Sequence, residues 1–393
     1  MGKRAIVSIV RVSDSIEGSV RKAVDLIGGI PAGVTSETRV LIKPNFIRAE
    51  APAVGTTTHP EIVRTVATMF KEKGARVAIG EASGNQYNTE EIFEYLRIRD
   101  RLGGFEVLDL DRDRIVSVEI RDARALKKVG IAETVLNADL IVSLPVMKTH
   151  NSTVFTGAMK NMMGVLPERE KWNMHLSGLH EALVDLNRAV GPRLIVMDAI
   201  VAMEGWGPAM GYPVKMGLVL AGTDFVAVDS VAAAIMGIEL KDVKHLVRAT
   251  EEGLGVSDLS DIEIRGEEIV NVKRRFRKAP GVKFFEVYGK CQYTVGRFLL
   301  SSFRIDIRPF IRRTSLFHLP KPKLDYGSCT RTGRCRAICP ESAITMNSYP
   351  VIDYSKCSRC MLCYEQCPQH AILVSRLPVS VLKLRNQRYG FRR

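Results

Sequence analysis

Seven of the eight cysteines in this chain of 393 residues fall between residues 329 and 367, and their spacing already specifies a chemistry. Cys357, Cys360, Cys363 and Cys367, followed by Pro368, read C-x2-C-x2-C-x3-C-P. In that run three thiolates on a tight loop grip one iron-sulfur cluster and the fourth serves a neighbouring one. A zinc site built from paired cysteines fits the spacing poorly, and the density is wrong for a disulfide framework in a cytoplasmic chain.

The same pattern stands 28 positions earlier, with Cys329 matching Cys357, Cys335 matching Cys363, Cys339-Pro340 matching Cys367-Pro368 and Ala343-Ile344 matching Ala371-Ile372. Such an internal duplication is the signature of a two-cluster ferredoxin. One position departs, since the counterpart of Cys360 is Thr332. Crossed ligation assigns Cys339, Cys357, Cys360 and Cys363 to a 4Fe-4S cluster and leaves Cys329, Cys335 and Cys367 for a second. A threonine hydroxyl is hard, neutral and barely ionised near neutral pH, so it is a poor replacement for a thiolate. Three outcomes follow: a 3Fe-4S cluster lacking the unsupported iron, a 4Fe-4S cluster whose fourth iron binds water, Thr332 or an outside ligand, or no second cluster. Cys291 is the spare thiol, either an ordinary buried cysteine or a donor from the preceding segment.

A second set of reactive residues lies at the expected ends of strands. Arg39–Ile42 leads into Lys43-Pro44-Asn45, Arg76–Ile79 into Gly80-Glu81-Ala82-Ser83, and Leu140–Leu144 into Pro145-Val146-Met147-Lys148-Thr149-His150. Leu194–Met197 delivers Asp198 and then Glu204, and Met216–Ala221 delivers Asp224 and then Asp229. Ligands of open α/β sheets bind outside the carboxyl ends of the strands, so these five ends are expected to form one pocket. Lys43, Lys148 and Lys160 would supply cations to an anionic ligand, and His59, His150 and His175 would transfer protons or ligate a metal. The acidic residues would balance the lysines or bind a metal through oxygen. Neither a G-x-x-x-x-G-K-[ST] phosphate loop nor a G-x-G-x-x-G run is present, which leaves a standard nucleotide cofactor without support.

The elements that must position these residues alternate through the first 270 positions. Strands are expected at Ala5–Val10, Arg39–Ile42, Arg76–Ile79, Phe105–Leu108, Leu140–Leu144, Leu194–Met197 and Met216–Ala221, with helices at Ile16–Ile27, Pro60–Lys73, Glu90–Ile98, Leu179–Val190, Val226–Met236 and Asp242–Glu252. The alternation predicts an α/β domain with a mostly parallel sheet flanked by helices, joined to a C-terminal α+β ferredoxin-type two-cluster domain. The expected divisions are 1–270 for the α/β domain, 271–323 for a connector rich in Arg, Lys, Phe and Pro, 324–375 for the cluster domain and 376–393 for a basic tail.

Charge follows the same division. Residues 1–270 carry 32 Lys+Arg against 37 Asp+Glu, whereas residues 271–393 carry 25 against 6. A field of one sign over the C-terminal third is either a solvated basic face or an attractor for an acidic redox partner protein, an anionic membrane surface or nucleic acid. No motif supports the last two. No apolar run approaches the roughly 20 residues of a spanning helix and the N-terminus does not read as a signal peptide, so a cytoplasmic protein is expected.

The strand-end residues resemble a known family, the domain-of-unknown-function 362 proteins of bacteria and archaea, often fused to a C-terminal two-cluster ferredoxin. The likeness rests on Lys43-Pro44-Asn45, Thr58-His59-Pro60, Gly80-Glu81, Lys148-Thr149-His150, Lys160-Asn161 with Gly164, His175, Asp198 with Glu204-Gly205 and Gly207-Pro208, and Asp224 with Asp229. It spans about residues 38–237 together with the ferredoxin part. It implies an α/β domain without an assigned reaction joined to an electron-carrying module, and Thr332 departs from the fully cysteinyl pattern of fused members. The leading expectation is an iron-sulfur oxidoreductase or redox-coupled enzyme passing electrons between clusters and a small anionic substrate on the α/β domain. The alternatives are an iron-sulfur cluster carrier or maturation factor, and a basic nucleic-acid-associated protein.

Overall fold

The computed structural model describes residues 5–83, 88–209, 211–279, 321–339, 341–357, 359, 362–365, 367, 369 and 371–375. Cys291, Cys360, most of the expected connector and the expected basic tail therefore lie outside the described residues. The chain divides into two compact units, Met1–Arg312 and Arg313–Arg393.

The first unit is built on strands β1 (Ala5–Arg11), β2 (Arg39–Lys43), β3 (Arg76–Glu81), β4 (Glu106–Asp109), β5 (Ile115–Glu119), β6 (Lys128–Ala132), β7 (Leu140–Ser143), β8 (Val146–His150), β9 (Val154–Thr156), β10 (Leu194–Glu204), β11 (Tyr212–Gly222) and β12 (Ile262–Gly266). Its main sheet runs β12-β1-β11-β10-β7-β2-β3-β4, with β8 beside β10 and β9 beside β8. The strands are mutually parallel except for β11, which pairs antiparallel with both β1 and β10, and β9, which is antiparallel to β8. Strands covered on both faces read as apolar runs rather than alternations. Leu140–Ser143 is buried throughout, and Val40–Lys43 is too, which carries a lysine into the interior.

Helices flank this sheet, and local chemistry fixes their ends. Helix Pro60–Glu72 opens on a proline at its first position, with the His59 ring nitrogen accepting the Glu61 amide as a cap. Asp224 caps helix Phe225–Ile235 through the amides of Val226 and Ala227. The expected connector begins as part of this unit, because Arg274 and Phe276 donate their amides to Ile235 O and Met236 O and Phe276 is buried. Among the described residues no helix is long and apolar enough to cross a membrane.

Two expectations are corrected here. The strand expected at Leu194–Met197 continues to Glu204 and turns back as β11 in a long antiparallel hairpin, so Asp198 and Glu204 lie within a strand. Because β11 runs the other way, Gly222 pairs with Ile195 and Asp224 emerges at the amino edge of the parallel strands. Four polar strand ends meet at the carboxyl edge, not five.

The second unit repeats itself. Strand β13 (Lys321–Leu324) pairs with β16 (Ile372–Ser375), and β14 (Ile344–Met346) pairs with β15 (Pro350–Ile352), both antiparallel. One short helix, Arg334–Ala337, has a counterpart 28 positions on at Leu362–Glu365. The backbone bonds are duplicated as well, Asp325 N to Ala371 O at 2.7 Å matching Asp353 N to Ala343 O at 2.8 Å. The buried residues at its centre include Leu324, Ile344, Ala371 and Ile372, with Cys335 and Cys363 among them.

Candidate functional site

In the first unit the reactive side chains are drawn into one buried network. Lys43, the last residue of β2, places Nζ 2.7 Å from Glu81 Oε1 at the end of β3, and both side chains are 1% exposed. Burial drives each toward its neutral form, Lys43 downward and Glu81 upward, and their mutual attraction opposes both shifts. Glu81 Oε2 accepts the Phe46 amide at 2.8 Å, and Lys43 also donates to Pro44 O at 2.5 Å. Gly164 is required beside this pair, because a Cβ there would run into Glu81 Oε1 and Lys43 Cε.

Two asparagines carry the network onward. Asn161 donates to Lys43 O and to Ser143 Oγ, each at 3.0 Å, and its Oδ1 accepts from Asn45 Nδ2 at 3.2 Å. Asn45 Oδ1 in turn accepts from Lys148 Nζ at 2.5 Å, and Lys148 also donates to Thr56 O at 2.7 Å. Lys148 stands within β8 rather than in a loop, and its pKa is lowered to about 7, first by burial and against the pull of Glu50 and Glu81. Glu50 is buried beside Arg48 at 3.2 Å.

The other expected residues surround this core. His59 donates its amide to Asp198 Oδ2 at 2.8 Å, and burial pushes the Asp198 carboxyl up while His59 and Lys148 pull it back. His150, at the end of β8, accepts the amides of Ser152 and Thr153 on Nδ1 at 3.0 and 3.2 Å. Lys160 lies on the short helix Ala158–Asn161, whose first amides donate to the buried Asp229 carboxylate at 2.6 and 3.0 Å. Burial lowers Lys160 to about 8, and burial followed by the Lys160 charge lowers His175 to about 3. Lys43, Lys148, Lys160, His59, His150 and His175 thus share one neighbourhood. Of the acidic residues expected to balance the lysines or bind a metal, Asp198, Glu204, Asp224 and Asp229 each accept backbone amides, at separate places.

Sequence reasoning passed over Lys171, which is buried and donates to Ala82 O and Ser83 O at 2.9 and 2.5 Å. It sits in helix Glu168–Ser177, whose residues carry no clear apolar stripe by which a helix is recognised. Also passed over were His180 and His245, buried in helices Leu179–Val190 and Lys244–Glu251 and stacked with ring centroids 5.7 Å apart. A histidine within an otherwise apolar helix face was the available signal.

In the second unit Cys329 and Cys367 lie near Cys335, and Cys339 lies near Cys357. The Cys335 thiol is pushed up by burial and by its neighbours Cys329 and Cys367, and the Cys357 thiol by burial and by Cys339. The repeat extends to sulfur, with Ala343 N donating to Cys339 Sγ at 3.3 Å and Ala371 N to Cys367 Sγ at 3.2 Å. Arg331 and Arg359, 28 positions apart, adopt matching left-handed conformations at φ 61° and 62°. Cys329, Thr332, Cys335 and Cys367 line one cavity. Among the described residues no three His, Cys, Asp or Glu side chains converge on a point that would hold a single metal ion. Thiols grouped by repeat around a cavity, with Cys335 and Cys357 held toward the thiol form chiefly by burial, instead suit a multi-iron group.

A family model described as a domain of unknown function (DUF362) matches residues 40–234, and one described as a 4Fe-4S binding domain matches residues 350–373. A thylakoid-associated protein of Synechocystis sp. is 28% identical over 251 residues, covering 62% of this chain and 76% of that protein. The lactate racemase apoprotein of Thermoanaerobacterium thermosaccharolyticum aligns with a TM-score of 0.39 and 16% identity. That alignment covers 64% of this chain, which spans 58% of the racemase's length.

Proposed function

We propose, for a chain that joins a domain of unknown function 362 to a C-terminal 4Fe-4S binding domain, that it is a redox-coupled enzyme exchanging single electrons with a small anionic substrate on its α/β domain. The observation that carries this reading is the cavity lined by Cys329, Thr332, Cys335 and Cys367. Cys339, Cys357, Cys360 and Cys363 would hold a 4Fe-4S cluster, and Cys329, Cys335 and Cys367 a second cluster with Thr332 in place of its fourth thiolate. When bound, the clusters supply one-electron transfer. A second cluster with three thiolates would interconvert between three-iron and four-iron forms, since one iron has no soft protein donor.

The α/β domain supports the substrate half of the reading. Lys148, lowered to about 7, and Lys160, lowered to about 8, are poised to hold or release protons near neutral pH. Electrons would come from an acidic redox partner attracted by the basic C-terminal third, in the cytoplasm. Anaerobic reductive titration with candidate anionic metabolites tests the proposal. Catalytic oxidation or reduction of one of them is the expected result, whereas transfer of iron-sulfur clusters to an apo-acceptor without turnover would favour a cluster carrier.

A further inference from the structure

The two halves of the cluster unit repeat each other's strands and short helix, but not the side chains beside the missing thiolate. The first cysteine loop continues Thr332-Gly333-Arg334, where the second, 28 positions on, has Cys360-Met361-Leu362. A thiol and two bulky apolar side chains are thus replaced by a hydroxyl, a bare backbone and a cation. Gly333 sits at φ 71°, and a Cβ built on it would meet nothing within 4 Å. Thr332 and Arg334 are exposed, so the position that lacks a thiolate opens to solvent.

The arginines of the two halves diverge in the same sense. Arg359 is buried, whereas its counterpart Arg331 is exposed and held against Tyr349. Arg331 Nη2 donates to Tyr349 Oη at 2.9 Å, and the guanidinium carbon lies 4.3 Å from the Tyr349 ring centroid. Tyr326 braces Tyr349 in turn, edge-on at 5.2 Å. Arg331, Thr332 and Arg334 line one cavity with Cys329, Cys335 and Cys367, and no carboxylate lines it among the described residues. A cavity whose charged side chains are two arginines, one of them oriented by an aromatic ring, is suited to receive an anion.

We propose that this cavity is a binding site for a small thiol that carries a carboxylate. Its sulfur takes the place that Thr332 leaves unfilled on the second cluster, the S–H proton passing to solvent as the iron–sulfur bond forms, with no electron transferred. Soft sulfur suits iron where the hard Thr332 hydroxyl does not, and the guanidinium groups of Arg331 and Arg334 answer the carboxylate. The bare backbone at Gly333 leaves room for the ligand's chain. The site rests on the reading that Cys329, Cys335 and Cys367 hold a second cluster.

The test is low-temperature electron paramagnetic resonance of the full-length protein, loaded with ferrous iron under reduction. It is titrated with 3-mercaptopropionate, 2-mercaptoethanol and 2-aminoethanethiol at equal thiolate concentration and constant ionic strength. Mercaptopropionate should change the second cluster's signal saturably at concentrations about tenfold below those needed of aminoethanethiol, with mercaptoethanol between. Arg334→Leu, the residue that the repeat carries there, should narrow that gap to about twofold and leave the interconversion of three-iron and four-iron forms unchanged. Thr332→Cys should remove the response. Equal response to the three thiols, an undiminished gap in Arg334→Leu, or a response that survives in Thr332→Cys would overturn the site. Iron-dependent interconversion in a protein that ignores all three thiols would overturn the site and leave the second cluster standing. Iron quantitation showing a single cluster would overturn both.

Discussion

Lys43 and Cys335 are both buried reactive groups, yet they are held in place by opposite means. Lys43 meets Glu81, Asn161 and, through Asn45, Lys148, partners contributed by β3, β8 and a short helix across more than a hundred positions of chain. Cys335 meets Cys329 and Cys367 inside a unit whose strands, helices and N–H···S bonds recur every 28 residues. The first arrangement is an achievement of sheet topology, and its polar groups are largely satisfied by one another. The second is local and repetitive, and it surrounds a cavity with groups that satisfy one another poorly. Charge paired within the fold is answered by the fold itself, while thiols gathered around a cavity suit a multi-iron group.

The strongest way to break this contrast is to remove a thiol. Cys357→Ser is expected to abolish the four-iron cluster it shares with Cys339 and to open residues 321–375 to proteolysis, while the α/β unit keeps its own unfolding transition. Iron quantitation and limited proteolysis check this, and full retention of iron and of protection would contradict it. The domain's core is small enough that its clusters should supply much of its stability.

Lys43→Met breaks the other side of the comparison. It leaves the Glu81 carboxylate buried without its partner, which costs about 3–5 kcal/mol. Denaturant unfolding of the α/β unit measures the loss, and the double variant Lys43→Met with Glu81→Gln should recover a large part of it. A neutral single variant would show that the pair is not held as ions.

A smaller effect sharpens the role of Lys148. Its pKa falls from 10.5 in the unfolded chain to about 7 in the fold, so between these values the unfolded chain binds more protons. Its contribution therefore makes stability rise with pH from about 7 toward 10.5. Lys148→Met should flatten that rise, measured as unfolding midpoints across the range, and an unchanged slope would place the titration elsewhere.

The same contrast explains what could be read from the sequence. The cysteine spacing and its repeat are local, so the cluster loops and the departure at Thr332 were legible residue by residue. The gathering of Lys43, Lys148 and Lys160 followed from the rule that parallel strands offer their carboxyl ends to ligands. Asp224 was misplaced because nothing in Tyr212–Gly222 announces that this strand runs antiparallel to its neighbours. Lys171, His180 and His245 were hidden inside helices, where a buried polar side chain looks like a solvent-facing one until packing is known.

The central claim is that the second cluster has one iron without a protein thiolate, and low-temperature electron paramagnetic resonance with iron quantitation on anaerobically purified protein tests it most directly. The oxidised protein should give a three-iron signal that converts to a four-iron form when ferrous iron is added under reduction, and Thr332→Cys should abolish the conversion and yield two ordinary four-iron clusters. Two stable four-iron clusters in the natural protein, indifferent to added iron, would contradict the account.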